Sequence, residues 1–173
     1  MVEPVTTLLA GDPGYRLDIL EANTRLDAEG KPFAMKDVEA ESIRFNPESQ
    51  TIYWSSEGDR KGEPSVREMK LDGSCVREFK LPEAYLPDEN KTRGTRNNLA
   101  FESLAITADG KTLLAGTENA LAQDGEIATL DKGSKSRIIS FDIASGEATA
   151  EHVYETDPVF AKATLLPFWN DNG

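Results

Sequence analysis

Two segments of this chain, 61 residues apart, align with one another without a gap. Residues 41–57 read ESIRFNPESQTIYWSSE, and residues 102–118 read ESLAITADGKTLLAGTE. Both copies begin with Glu-Ser, end with Glu and place apolar residues at alternate positions around a central turn signal. This pattern is typical of a β-hairpin. A hairpin that recurs at a fixed offset restricts the chain to an array of similar β units.

A looser repeat follows each hairpin, since Arg67–Asp72 resembles Arg137–Asp142. A hairpin followed by a further strand pair is the composition of a four-stranded antiparallel propeller blade. No long window shows a capped helical period, so the predicted fold is all-β and β-propeller-like, with about three blades. We place repeat units at about 38–98 and 99–160 in one domain, 1–173. The predicted strands are 5–9, 15–20, 42–45, 51–55, 65–71, 76–81, 104–107, 112–115, 137–141 and 149–154.

The composition argues against several classes of function. The formal net charge is −12, which disfavours nucleic acid as a partner because phosphates demand clustered Lys and Arg. Cys75 is the one cysteine and His152 the one histidine, so neither an internal disulfide nor a zinc site built from these residue types is expected. We interpret Cys75 as an ordinary strand residue and His152 as a partly buried one.

Characteristic motifs of other classes are also missing from the sequence. There is no apolar run of about 18 residues, so no membrane span is predicted. There is no Gly-x-Ser-x-Gly elbow and no glycine-rich phosphate loop. Residues 1–10 lack the basic and apolar regions of a signal peptide.

The repeat places glutamates at the ends of its hairpins. The first residue of one hairpin strand lies near the last residue of the other, so we expect Glu41 beside Glu57 and Glu102 beside Glu118, to within one residue of register. Adjacent blades would then present four carboxylates at one edge. Ca²⁺ suits such a cluster because it takes six to eight oxygen ligands in loose geometry. The alternative is structural: each glutamate accepts backbone N–H groups of a neighbouring strand and joins blade to blade.

A polar loop, residues 82–98, makes the repeat longer than a compact blade of roughly 40–45 residues. Its end, TRGTRNNL at 92–99, holds Arg93 and Arg96 beside two asparagines. These groups can hold a phosphate or carboxylate through charge-assisted hydrogen bonds. The alternative is a solvated loop whose arginines pair with the surplus of acidic residues. Arg60 and Lys61 form a weaker candidate of the same kind.

Five segments carry a resemblance to a known family. They are VEAESIRF at 38–45, WSSEGD at 54–59, GTRNNLAFESL at 94–104, GTENALAQDG at 116–125 and RIISFD at 137–142. In this order and spacing, from about Val38 to Pro158, they resemble the bacterial family described as esterase-like activity of phytase. Its members are propeller-like domains often found in exported proteins, so the resemblance implies a periplasmic or secreted protein.

The resemblance also implies a metal-dependent hydrolase of phosphoesters or carboxylic esters, acting on a small anionic ester. Carried over by position, four glutamates are candidate Ca²⁺ ligands: Glu41, Glu57, Glu102 and Glu118. Glu57 and Glu118 are the candidate catalytic carboxylates, and the candidate substrate contacts are Arg93, Arg96 and Asn97. The alternative is a non-catalytic propeller that binds calcium or a protein partner.

The sequence departs from the family pattern in two ways. Glu41-Ser42 and Glu102-Ser103 stand where members typically have Glu-Gly, and a lost glycine can block a close backbone approach. The chain also has fewer blades than a closed propeller, so we expect either association between copies or a remainder of the propeller outside this chain. In the second case the isolated segment need not be active.

Overall fold

The computed structural model describes residues 22–34, 37–58 and 62–161. Within them the regular secondary structure is almost entirely strand, which confirms the predicted fold class. The predicted strands at 5–9 and 15–20 and the basic pair Arg60-Lys61 lie outside the described residues. The strands are β1 (Ala40–Asn46), β2 (Thr51–Ser56), β3 (Ser65–Lys70), β4 (Cys75–Glu78), β5 (Phe101–Ile106), β6 (Thr112–Thr117), β7 (Lys135–Asp142) and β8 (Ala148–Glu155), with a 3₁₀ turn at Glu83–Tyr85.

The strands form two four-stranded antiparallel sheets, in the orders β1-β2-β3-β4 and β5-β6-β7-β8. We call them blade 1 and blade 2. Each pairs consecutive strands only, as the predicted propeller blades require. Blade 2 packs its first strand, β5, against β1 and β2 of blade 1.

Both repeat hairpins contain the same irregularity. Ala40 pairs with Ser56 and Ile43 with Trp54, so two residues of β1 lie opposite one residue of β2. In blade 2, Phe101 pairs with Thr117 and Leu104 with Ala115, which places the equivalent β-bulge at Glu102-Ser103. A bulge adds one unpaired residue and redirects the side chains next to it. The residues that open each repeat, Glu-Ser, are therefore the bulge residues.

Aromatic side chains fill the space between the blades. Phe79 of blade 1 contacts Phe141 of blade 2 with ring centroids 5.3 Å apart, and Tyr53 packs edge-on to Phe79 at 5.8 Å. Leu104 of the β5 bulge region is buried in the same core. Burial of each such side chain contributes roughly 1.5–3 kcal/mol, so this interface holds the two blades in a fixed relation.

Arg77 forms an ion pair within blade 1 and also links blade 1 to blade 2. Arg77 of β4 donates to the buried carboxylate of Glu68 at 2.7 Å, and Glu68 also accepts from Thr51 at 2.6 Å. The Arg77 guanidinium then reaches blade 2, where it donates to the backbone carbonyls of Ile143 and Ala144. Because Arg77 fulfils both tasks, blade 1 is fixed to the β7–β8 turn of blade 2.

The outer strand of blade 2 is an edge strand, and this corrects one expectation. His152 lies on β8, where every residue from Thr149 to Glu155 is exposed, so it is not partly buried. Cys75 is a free thiol at the start of β4, in agreement with its interpretation as a strand residue. Among the described residues, no helix has the length and apolarity needed to cross a membrane.

The loop that lengthens the repeat is folded against blade 2. Its 3₁₀ turn buries Tyr85, whose ring stacks on Phe101 with centroids 5.6 Å apart. Thr95 donates its N–H to the Tyr85 carbonyl, and Gly94 donates its own to the side chain of Gln123. Gly94 has φ +88°, and a Cβ there would lie 2.3 Å from the Pro87 nitrogen, so no other residue fits this position.

Candidate functional site

Two of the repeat glutamates follow directly after the second strand of each hairpin. Glu57 comes after β2 and Glu118 after β6. The same hydrogen bond closes the chain around each: the Ser56 hydroxyl donates to the Gly58 carbonyl at 3.1 Å, and the Thr117 hydroxyl donates to the Asn119 carbonyl at 2.9 Å. The repeat therefore builds the same local support for both glutamates.

The bulge changes which residues these glutamates face. The Glu57 N–H donates to the carbonyl of Glu39 at 2.9 Å, and the Glu118 N–H donates to that of Ala100 at 2.7 Å. Sequence reasoning expected Glu41 and Glu102 there, within one residue of register. The difference is two residues: the register of each hairpin accounts for one, and the extra residue that the bulge inserts on the first strand accounts for the other.

Three carboxylates nevertheless converge where the blades meet. One carboxylate oxygen each from Glu57, Glu102 and Glu118 lies within 4.8 Å of the other two. We call these residues the glutamate cluster. Glu57 belongs to blade 1, whereas Glu102 and Glu118 belong to blade 2, so the cluster forms only when the blades are packed together. Glu57 is 4% exposed.

The fourth predicted ligand has a different position. Glu41 is exposed and lies outside the glutamate cluster. It is still close enough to act electrostatically, because its negative charge helps to raise the pKa of Glu57. Of the four carboxylates that the repeat relates, three are thus clustered, and the fourth, that of Glu41, is a charge at the periphery.

Burial raises the pKa of Glu57 from its ordinary value of 4.5 to about 7. Desolvation of the carboxylate is the largest cause, and the charges of Glu102 and Glu41 add to it. The Ala100 N–H opposes the shift by donating to Glu57 Oε1 at 2.9 Å. At neutral pH Glu57 is therefore close to the midpoint of its titration and shares a hydrogen bond with Glu102.

The hydrogen bond from Ala100 also has a structural meaning. It connects the Glu57 side chain of blade 1 to the backbone just before β5 of blade 2. This is the contact that the structural interpretation of the glutamates anticipated, in which a carboxylate joins blade to blade. Glu57 thus combines a backbone contact with membership of the glutamate cluster.

The three predicted anion contacts lie in the folded loop. Arg93 forms an ion pair with Glu83 at 2.6 Å, and both side chains are substantially exposed. Arg96 donates to the carbonyls of Ala120 at 3.2 Å and Gly125 at 2.6 Å, and so holds the segment after β6. Asn97 is exposed. Arg93 therefore pairs with an acidic residue, as the alternative interpretation stated, whereas the partners of Arg96 are backbone carbonyls.

Two clefts in the described part of the chain lie away from the glutamate cluster. One of about 350 Å³ lies along Glu78–Leu81 and is bounded by Arg67. The other, of about 330 Å³, lies along Cys75–Glu78 and is closed by Phe33. Both follow the outer strand of blade 1, so neither is lined by the clustered carboxylates.

Sequence reasoning missed two serines that contact β5 from blade 1. The Ser55 hydroxyl donates to the Phe101 carbonyl at 3.1 Å, and the Ser42 hydroxyl accepts from the Leu104 N–H at 3.2 Å. The recurrence of Glu-Ser at 41–42 and 102–103 was visible in the sequence. Its interpretation as a departure from Glu-Gly concealed the hydrogen bond that the Ser42 hydroxyl supplies.

The fold and the glutamate cluster together define a propeller-like all-β protein with three acidic side chains at a junction between blades. Comparison with family models agrees with this class: the phytase-like model, described as esterase-like activity of phytase, matches residues 5–173. The chain belongs to this phytase-like family. The match extends beyond the stretch of about 38–158 on which the sequence resemblance was based. A comparison with curated proteins gave no match.

Proposed function

We propose that this chain is a phytase-like hydrolase of phosphoesters or carboxylic esters that binds a divalent cation, Ca²⁺, at the glutamate cluster. The observation that carries the proposal is the convergence of three carboxylates from two blades within 4.8 Å. Like charges brought this close need a compensating positive charge or a proton. Family membership supports hydrolysis as the class of reaction.

The donor set fits a hard cation. All three clustered side chains offer carboxylate oxygens, which Ca²⁺ and Mg²⁺ prefer over nitrogen or sulfur ligands. The raised pKa of Glu57 has desolvation as its largest cause, and the negative charges of Glu102 and Glu41 add to it. Glu57, Glu102 and Glu118 would hold the ion, and Glu41 would add negative charge at the periphery. A bound cation would supply Lewis-acid polarisation of an ester oxygen and of water.

The proposed catalytic carboxylates are Glu57 and Glu118. With a pKa of about 7, Glu57 can accept and return a proton near neutral pH, which is the range in which general acid–base catalysis is most effective. Its Oε1 is held by the Ala100 N–H, so the orientation of the carboxyl is fixed. We propose Glu118 as the second carboxylate of the pair because it occupies the equivalent position in the repeat.

The proposed anion contacts are Arg93, Arg96 and Asn97. Arg93 is the best placed energetically, because its ion pair with Glu83 is exposed and such pairs contribute only about 0–1 kcal/mol. An anionic substrate can therefore replace Glu83 at little cost. Arg96 would have to release two carbonyl groups, so we assign it mainly to holding the loop beside the proposed site.

A second candidate function is a non-catalytic, calcium-binding propeller scaffold. The bond from Ala100 to Glu57 favours it, since that contact joins the blades whether or not any chemistry occurs. The contacts that Arg93 and Arg96 make within the chain favour the scaffold as well. In this case the cation would stiffen the blade junction and the surface would bind a partner.

Calorimetric titration of chelator-treated protein with Ca²⁺ tests the proposal. Glu57→Gln and Glu118→Gln should each weaken binding strongly, and Glu89→Gln should not, because Glu89 is an exposed loop residue with the same charge. Absence of Ca²⁺ binding in the unaltered protein would refute the cation site. Turnover of 4-nitrophenyl phosphate or acetate then separates the two functions: binding without turnover in the presence of Ca²⁺ supports the scaffold.

A further inference from the structure

Glu102 lies on the bulge of β5, and a bulge residue lacks the ladder hydrogen bonds that fix an ordinary strand residue. Its position must therefore be determined by other contacts. Those contacts matter because the proposed cation site, on which this inference rests, needs Glu102 close to Glu57 across the junction between the blades.

Blade 1 supplies such contacts on both sides of Glu102. Before it, the Ser55 hydroxyl donates to the Phe101 carbonyl at 3.1 Å. After it, the Leu104 N–H donates to the Ser42 hydroxyl at 3.2 Å. The two serines are themselves joined, because the Ser42 N–H donates to the Ser55 hydroxyl at 3.2 Å. Ser55 is fully buried, so water does not compete for its bonds.

The geometry points to Ser42 and Ser55 as positioning residues that hold the Glu102 bulge against blade 1 and so set the spacing of the glutamate cluster. We call the pair the serine clamp. Both positions of the clamp require a hydroxyl group. The Ser55 hydroxyl must accept one bond and donate another, and the Ser42 hydroxyl must accept a bond that glycine or alanine has no atom to accept.

The second copy of the repeat provides a matched comparison. Ser103 is equivalent to Ser42, and Gly116 is equivalent to Ser55. Gly116 leaves space for the Ser103 hydroxyl, since a Cβ at Gly116 would lie 2.5 Å from that oxygen. Blade 2 thus has the first serine of the clamp and lacks the second. Removal of the Ser103 hydroxyl should leave the glutamate cluster unchanged, although the substitution is chemically the same as at Ser42.

The test is Ca²⁺ calorimetry on Ser42→Ala, Ser42→Thr and Ser103→Ala, with urea unfolding to confirm that each variant is folded. We expect Ser42→Ala to weaken Ca²⁺ binding about tenfold or more, as loss of an outer-shell partner commonly does. Ser42→Thr keeps a hydroxyl and should bind like the unaltered protein, and Ser103→Ala should remain within about twofold. Equal affinities for Ser42→Ala and Ser103→Ala would overturn the inference.

Amide hydrogen exchange provides a readout that does not require the cation. The Leu104 N–H should exchange faster in Ser42→Ala than in the unaltered protein or in Ser103→Ala, because its acceptor is removed. If the unaltered protein bound no Ca²⁺, the proposed function would fail, and exchange at Leu104 would decide the clamp alone. Unchanged exchange in Ser42→Ala would show that the serine does not hold the bulge.

Discussion

Glu57→Gln removes an ionisable carboxyl and keeps a side-chain oxygen that can accept the Ala100 N–H. The substitution therefore isolates the cost of ionising Glu57 in the folded protein. Its pKa is about 7 in the folded state and 4.5 for the ordinary side chain. Below the lower value the carboxyl is protonated in both folded and unfolded chains, and Glu57 then makes no pH-dependent contribution to the free energy of unfolding.

The direction in which stability changes with pH follows from the raised pKa of Glu57. Between pH 4.5 and about 7 the folded protein keeps a proton that the unfolded chain has lost, so stability falls as the pH rises through this window. The shift of 2.5 corresponds to a loss of about 3 kcal/mol once the pH exceeds the folded pKa, at about 1.4 kcal/mol per pH unit. Since Glu57 is 4% exposed, screening by solvent reduces this figure only modestly.

The assay is urea unfolding with a chelator present, monitored by tryptophan fluorescence at about pH 5 and about pH 8. Trp54 is buried in blade 1 and should report its unfolding. The difference in the free energy of unfolding between Glu57→Gln and the unaltered protein should shift in favour of the variant by up to about 3 kcal/mol from the lower to the higher pH. Glu89→Gln, which removes the same charge from an exposed position, should follow the unaltered protein at both values.

The pH window avoids most other titrations with resolved shifts. Hydrogen bonds from neighbouring side chains and backbone lower the pKa values of Asp72, Asp88, Asp109 and Asp142, so their contributions change below about pH 4. If the stability curves of Glu57→Gln and the unaltered protein run parallel across this window, Glu57 is not desolvated and the electrostatic account of the cluster is wrong.

Three further predictions concern the framework of the site. Gly94→Ala should destabilise the protein by about 2–4 kcal/mol in urea unfolding, because the backbone there is left-handed and the added Cβ would clash with Pro87. Gly30→Ala, at φ +75° with open space around it, should cost about 1–2 kcal/mol. Equal costs for the two variants would contradict the clash. Arg77→Met should lower the free energy of unfolding by about 3–5 kcal/mol, because it leaves the buried Glu68 carboxylate without its ion-pair partner. Lys80→Met, which removes an exposed ion pair, should change it by less than about 1 kcal/mol. A small effect of Arg77→Met would show that the link between the blades is not needed. Light scattering should give a mass above the 19.0 kDa of one chain. Ile43 is 57% exposed, whereas its repeat equivalent Leu104 is buried between the blades, so Ile43 offers the same kind of apolar surface to a second copy. Ile43→Ser should lower the mass, and a monomeric unaltered protein would refute association.

The fold was predictable because the hairpins repeat their alternation. Each of the eight strands in the described residues overlaps a strand expected from apolar periodicity, and the turns lie at the expected Asn-Pro and Asp-Gly signals. What periodicity cannot encode is an added residue. The bulge in β1 shifts the partner of Glu57 by one residue, to Glu39. Strand patterning did not reveal this shift because it is insensitive to a one-residue insertion that leaves the later pairs in register.

Contacts between the blades were the least predictable part of the site. Sequence reasoning placed Glu57 and Glu102 at one edge from the repeat alone, and the structure brings their carboxylates together. It did not anticipate that Arg77 would cross to the carbonyls of Ile143 and Ala144, or that Ser55 would cross to Phe101. Such bonds depend on the distance and angle between sheets, for which an alternating pattern holds no information.

Under the proposed function, a proton and a cation are alternative occupants of the glutamate cluster, which links that function to the stability measurements. The cluster joins Glu57 of one blade to two carboxylates of the other, so its repulsion acts directly on the junction. Below about pH 7 the proton on Glu57 relieves that repulsion. Above about pH 7, Ca²⁺ at a hundred times its dissociation constant would raise the free energy of unfolding by about 2.7 kcal/mol. This is close to the roughly 3 kcal/mol of stability that is lost with the proton. If the proposed site is real, saturating Ca²⁺ should therefore flatten the pH dependence of the unaltered protein and leave that of Glu57→Gln nearly unchanged. A cation effect of equal size in both proteins would place the bound ion elsewhere on the acidic surface.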